Sequence, residues 1–290
     1  EGIVQADSVM DLLRSTGLRV DGFEATGAIV RVPVNEPAPD KGGKKSGWYV
    51  LHELVLQSGA VTYVGACGNY KQAEDSVRIG VGEGDLSPVD REESKRKQQE
   101  AMEASRRERE DQARRAAEKA NEMWPRLGQS GKSKYLQRKG VRPYGVRFAK
   151  GAVVVPLRRI DGDLVGLPLI DGQGNKRFLT GTPKQGAFHL IGAPEQGGRL
   201  AVAEGYATAA DVHEALEIPV AVAFDAGNLQ PVAESLQEKF SPALILVAGD
   251  DDPPDQHGRR KGIEKAQSAA QAVGGVALFP SMPGGGSDVA

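Results

Sequence analysis

From Leu200 onward the chain repeats one unit, a short unbroken apolar run followed by a segment with helical spacing. LAVAEG precedes YATAADVHEALE, PVAVAFD precedes QPVAESLQEKF, ALILVAGDDD precedes KGIEKAQSAAQAVG, and GVALFP closes the series. Runs of Ala, Val, Leu and Ile without polar alternation suit strands covered on both faces, the situation of a parallel sheet with helices above and below. An α/β fold with a mainly parallel sheet is therefore expected for 199–290. Composition agrees with thin, closely packed layers: aromatics are 5% of the chain, and Gly, at 37 of 290 residues, is about twice its usual ~7%.

A length of 290 residues implies about two domains at roughly 100–200 residues each. SVMDLLRSTG (8–17) has a helical pattern ended by Gly17, and AIVRVPV, GWYVLHELVL and AVTYVGA read as strands between Gly, Pro, Lys and Asp turns. Residues 1–87 are expected to form an α+β or mainly β domain. From Pro88 the chain turns to Arg, Glu, Lys, Gln and Ala, with Pro125 as a stop. Residues 88–125 are thus predicted to be one long polar helix. Its apolar residues are too sparse for a heptad seam, so a solvated connector is expected rather than a coiled-coil partner. In 126–198, the short helix KYLQRKGV precedes AVVVPL, LVGLPLI and RFLTG, spaced by DG and GN turns. That pattern predicts a small antiparallel sheet.

With Lys+Arg 37 against Asp+Glu 39 and a net charge of −2, any nucleic-acid surface must be a local patch. The single cysteine, Cys67, excludes an internal disulfide, a four-cysteine zinc ribbon and a Cys₂His₂ finger, so no structural zinc is expected. His52, His189, His213 and His257 have no metal-ligand spacing. Cys67, with no histidine paired to it, reads as a small core residue rather than a nucleophile. No apolar run approaches the ~20 residues of a membrane span, and EGIVQADSVM lacks the pattern of a signal peptide. A soluble, cytoplasmic protein without a membrane partner is expected, the sequence reading as a fragment.

Ligand sites in open α/β sheets gather at the carboxyl ends of strands. Glu204 closes LAVAEG; Asp250, Asp251 and Asp252 close ALILVAGDDD. With these two strands adjacent, Glu204 and the Asp cluster would face one cleft. Alternation would let Asp250 and Asp252 point together and Asp251 away. Three convergent carboxylates repel unless a cation sits among them, and hard oxygen ligands select magnesium or manganese. Acids at these places can also cap the following helices.

VAEGYATAADVHEAL, AVAFDAGNL, LILVAGDDD and GIEKAQSAAQAVGG, in this order, resemble the Toprim domain shared by bacterial replicative primases, topoisomerases and some nucleases. The preceding YLQRKGV, VVVPLRRIDGDLVGL and GNKRFLTGTPKQGAFHLIG are similar to the basic subdomain that precedes Toprim in primases. The stretch 120–290 is similar to the Toprim primases of conjugative plasmids, integrative elements and phages. The resemblance implies a DNA primase that joins ribonucleotides on single-stranded DNA, with Mg²⁺ or Mn²⁺ held by Glu204, Asp250 and Asp252. It makes Lys176, Lys184 and Asn228 candidate contacts to nucleotide or template. Arg259 and Arg260, in a loop longer than that of cellular replicative primases, could meet phosphates or form a solvated basic turn. A further acidic motif in the family would begin at Asp288 and add it to the metal site. Ribonucleoside triphosphates and single-stranded DNA are the implied partners, with a replicative helicase as a further candidate.

Two other functions use parts of the same pattern. A Toprim nuclease would need the carboxylates but not the basic segment, and a noncatalytic adaptor for single strands or a helicase would need neither acid set. In the amino-terminal domain, Trp48, Tyr49 and Lys71 form an aromatic and basic grouping of the kind that stacks single-stranded bases. The same alternation also suits a plain core.

Overall fold

The computed structural model describes residues 4–36, 39–70, 76–80, 86–241, 243–249 and 260–279, with Lys261 described by its backbone alone. The chain divides into two compact units, Glu1–Gln112 and Ala113–Ala290.

In the first unit, helix α1 (Ala6–Ser15) precedes β1 (Thr26–Val32), β2 (Gly47–Val55), β3 (Val61–Asn69) and β4 (Val77–Ile79). The strands pair antiparallel in chain order. Alternation along β2 feeds two cores: Tyr49 and Leu51 join Val9, Leu13 and Cys67, whereas Trp48 and Val50 join Ala66 and Ala101. Ala101 belongs to the polar helix α2 (Pro88–Met123). The helix is continuous, as its composition predicts, but its first half is no solvated connector. Ala101 and Ser105 are fully buried, Gln98 Nε2 donates to the Gly65 carbonyl at 2.6 Å and Lys97 Nζ to that of Glu53 at 2.6 Å. The division between units accordingly falls inside α2 instead of at its start.

In the second unit, α3 (Lys134–Lys139) leads into short strands β5 (Arg147–Ala149), β6 (Ala152–Val154), β7 (Leu157–Arg158), β8 (Leu164–Gly166), β9 (Leu169–Ile170) and β10 (Lys176–Arg177). β10, β9, β6 and β5 form one antiparallel sheet, and β7 pairs with β8. There follow β11 (His189–Ile191), β12 (Arg199–Ala203), α4 (Tyr206–Leu216), β13 (Val220–Val222), α5 (Leu229–Phe240), β14 (Leu244–Ala248), α6 (Lys261–Ala272) and β15 (Val276–Leu278). The sheet order is β11-β13-β12-β14-β15, with β11 antiparallel and the other pairs parallel.

Both faces of this sheet are covered, for the reason its apolar runs imply. Ala201, Ala203, Val220 and Val222 pack with Tyr206, Ala209 and Ala210 of α4. Leu200, Val202, Ala221, Ile245 and Val247 pack with Leu229, Val232 and Leu236 of α5 and Ala266 and Ala269 of α6. Small residues let the layers approach. A Cβ on Gly249 would stand 2.7 Å from that of Ala266, closer than packed carbons tolerate. The α4 face also receives Tyr135, Leu136, Val153 and Ile170, which joins the antiparallel subdomain to the parallel one. Among the described residues no helix is long and apolar enough to cross a membrane.

Candidate active site

Glu204 sits at the carboxyl edge of β12, half-buried, where the strand gives way at Gly205 to α4. The parallel register sets Ala203 opposite both Ala248 and Val222. Glu204 and Gly249 therefore leave the sheet at one edge, side by side. The strand adjacency on which the expected acidic cleft depends is present. Asp250, Asp251, Asp252, Arg259 and Asp288, like Lys71, lie outside the described residues. Among the described residues no group of three His, Cys, Asp or Glu could hold a metal ion.

A chain of contacts links the end of β12 to both candidate lysines. The Glu204 carbonyl accepts a hydrogen bond from the Phe224 N–H at 2.9 Å. Phe224 in turn accepts Lys176 Nζ on its own carbonyl at 3.4 Å. Lys184 Nζ stands 4.3 Å from the ring centroid of Phe178, and Phe178 meets Phe224 edge to face, centroids 6.1 Å apart at 87°. Lys176 thus contacts Phe224 directly, and Lys184 is linked to it through the Phe178 ring, while Phe224 is tied by its backbone to Glu204. Arg260 stands exposed at the amino end of α6.

Asn228 has a different role from the expected ligand contact. It is buried, its Oδ1 accepts the Gly186 N–H at 2.7 Å, and its Nδ2 donates to the carbonyls of Ala187 and Ala223, both at 2.9 Å. Both amide protons are committed, so Asn228 pins the Lys184–Ala187 turn to the end of β13 and has no N–H left to donate to a nucleotide.

Trp48 and Tyr49 are likewise corrected. Each is only 2% exposed, and stacking needs an open ring face. The Trp48 indole lies against Gly68, where a Cβ would come within 2.7 Å of the ring, and the Tyr49 hydroxyl accepts the Glu24 N–H at 3.2 Å. Both rings are core. Cys67 is buried, and burial pushes its thiol up to about 11, as befits an unreactive core residue.

Sequence reading does not single out Tyr206 and His189, which join the two parts of the second unit. The Tyr206 hydroxyl accepts the Tyr144 N–H at 2.7 Å and donates to the Arg142 carbonyl at 3.1 Å. His189 lies 6.0 Å from the Tyr206 ring at an interplanar angle of 28°, with Nε2 2.8 Å from the Tyr144 carbonyl. Burial lowers the His189 pKa to about 4 against the opposing pull of the Tyr144 and Pro156 carbonyls, and burial raises that of Tyr206. No spacing rule marks such a pair, because its partners are backbone atoms 45 and 62 residues away.

A parallel α/β domain with a glutamate at the end of its central strand and an acidic cluster following the adjacent strand is the pattern of a Toprim domain, and residues 199–289 match the family model described as Toprim domain. The particular relatives extend beyond that domain. The chain is 40% identical over 154 residues to a DNA primase TraC of Escherichia coli, a match that covers 50% of this chain and 11% of the relative. A second DNA primase TraC of Escherichia coli is 44% identical over 131 residues, 43% of this chain and 12% of that protein. The chain thus spans about a tenth of the length of these relatives. Among solved structures, the primase fragment of the bacteriophage T7 primase-helicase protein is similar over 52% of this chain and 60% of its own, with 19% identity and a TM-score of 0.36. The Aquifex aeolicus primase, with its zinc-binding and RNA polymerase domains, is similar over 96% and 77%, with 14% identity and a TM-score of 0.40.

Proposed function

We propose that this chain carries the nucleotidyl-transfer core of a DNA primase, which joins ribonucleoside triphosphates on a single-stranded DNA template. The observation that supports this most is the β12–β14 register: Glu204 is set at the same sheet edge as the strand leading to Asp250–Asp252, within a Toprim domain similar in sequence to DNA primases. Lys176, bonded to Phe224, and Lys184, linked to Phe224 through Phe178, supply the positive charge in this reading.

The donor chemistry fits a hard divalent ion. Glu204 is a half-buried carboxylate at the ligand-binding edge of the sheet, and Asp250 and Asp252 would complete an all-oxygen set for Mg²⁺ or Mn²⁺. Such an ion, when bound, supplies Lewis-acid stabilisation of charge on phosphoryl oxygens during transfer. Lys176 and Lys184 act as point charges that orient triphosphate or template phosphates. Asn228 holds the Lys184 turn in place, and α4 starts directly behind Glu204.

The test is primer synthesis by this chain on mixed-sequence single-stranded DNA with labelled ribonucleotides, with Mg²⁺, Mn²⁺ or chelator. Metal-dependent oligoribonucleotides complementary to the template are expected. Template cleavage without new strands would assign the carboxylates to a nuclease, and metal-independent binding with neither product would point to an adaptor.

A further inference from the structure

Phe224 carries an unusual burden for a single residue. Its φ is +65°, the left-handed region, where a bulky L-residue is strained by roughly 1–3 kcal/mol. Such a conformation persists where its surroundings hold it. Here the N–H is held by Glu204, the carbonyl takes Lys176, and the ring, 5% exposed, takes the edge of Phe178. Phe178 offers its face to Lys184. From the same turn, Asn228 clamps Gly186 and Ala187, just past Lys184.

The segment Ala223–Asn228 thus bonds Lys176 directly, and it supports Lys184 indirectly, through the Phe178 ring and the backbone just past Lys184. A free lysine side chain carries about 2 kcal/mol of rotamer entropy, part of which is lost whenever it grips a phosphate. An ammonium already parked over an aromatic face loses less, and its affinity rises accordingly. The contact leaves the charge unchanged.

We infer that Phe178, braced by Phe224, is a positioning residue for phosphate binding: its ring holds the Lys184 ammonium in place. This rests on the proposed primase reading. The phosphate could belong to a ribonucleoside triphosphate or to the single-stranded template, and the two are separated by measuring both.

The experiment uses the whole chain. Dissociation constants for ATP and for a mixed-sequence single-stranded oligodeoxynucleotide are measured across a salt series, with kcat and KM for nucleotides in primer synthesis, for the wild type and for Phe178→Leu, Phe178→Tyr, Lys176→Gln, Lys184→Gln and the double variant Phe178→Leu/Lys184→Gln. Phe178→Leu keeps the apolar volume but removes the π face. It is expected to weaken one of the two ligands about three- to tenfold, and the ligand that weakens identifies the source of the phosphate. If that ligand is nucleotide, KM rises and kcat holds. The salt slope for the oligonucleotide should stay at the wild-type value, because no charge is lost, whereas Lys184→Gln should lower it if template phosphate is the ligand. Phe178→Tyr should restore binding, and Phe178→Leu should add nothing to Lys184→Gln.

Wild-type binding by Phe178→Leu while Lys184→Gln weakens it would overturn the proposal, as would a full further loss in the double variant. If Phe178→Leu does not fold, pentafluorophenylalanine at position 178 preserves ring shape and reverses the ring quadrupole; unchanged affinity there overturns the proposal equally. If neither lysine variant weakens either ligand, the phosphate-binding reading itself fails and takes the proposal with it.

Discussion

Tyr206 is fully buried, and its hydroxyl is the single atom that satisfies both the Tyr144 N–H and the Arg142 carbonyl. Tyr206→Phe removes that partner from both groups, so a loss of about 0.5–1.5 kcal/mol is expected, measured as a shift of the urea unfolding midpoint at unchanged slope. Its neighbour His189 sets a pH dependence. Folding lowers its pKa from 6.5 to about 4, chiefly through burial. Between those values the unfolded chain binds a proton that the folded chain does not. Stability from this residue is complete above pH ~6.5 and falls by about 1.4 kcal/mol per pH unit as pH drops toward 4. Unfolding curves between pH 7 and 4 check this, and His189→Gln should flatten the slope in that window. A wild-type slope retained in His189→Gln would assign it to other groups.

Among the elements, α2 shows why some features are legible in sequence and others are not. Its start is marked in sequence by the change of composition at Pro88, and the structure adds a cap at Ser87, with the Asp90 N–H on Ser87 Oγ at 3.2 Å and the Ser87 hydroxyl on Asp90 Oδ2 at 2.7 Å. Asp90 Oδ1 also accepts the Gln57 N–H at 3.0 Å. Asp90→Ala therefore removes a helix-start contact and a tie to the β2–β3 turn, and a loss of about 1–3 kcal/mol is expected, read from thermal unfolding. What the helix packs against is hidden, because its buried residues are small or polar, Asp90, Ala101, Ser105, Ala116 and Ala120, and do not register as an apolar period. The same gap accounts for Trp48. Aromatic alternation in β2 is equally consistent with an open stacking face and a covered one, and the covering element is α2 itself. The parallel strands have no such ambiguity, since fully apolar runs require cover on both faces, and α4, α5 and α6 supply it. Glu204 is legible for that reason: once β12 is a buried strand, the first polar residue after it marks the carboxyl edge. Phe178 and Phe224 are not, since their significance lies in a left-handed turn and a ring contact across 46 residues of sequence.

At the scale of the whole molecule, a sheet closed on both faces leaves its carboxyl edge as the place where polar groups can emerge. Glu204 emerges there half-buried, beside the strand that leads to Asp250–Asp252 and beside the lysine-bearing subdomain. The activity proposed for this edge is metal-dependent nucleotidyl transfer. Glu204→Gln tests it most directly, because the change removes charge with almost no change in volume. The measurement is the rate of primer synthesis on single-stranded DNA with Mg²⁺ or Mn²⁺, alongside Tm. The expected result is stability within about 0.5 kcal/mol of wild type and synthesis slowed about a thousandfold, equivalent to losing about 4 kcal/mol of transition-state stabilisation. Synthesis at the wild-type rate by a folded Glu204→Gln chain would contradict it.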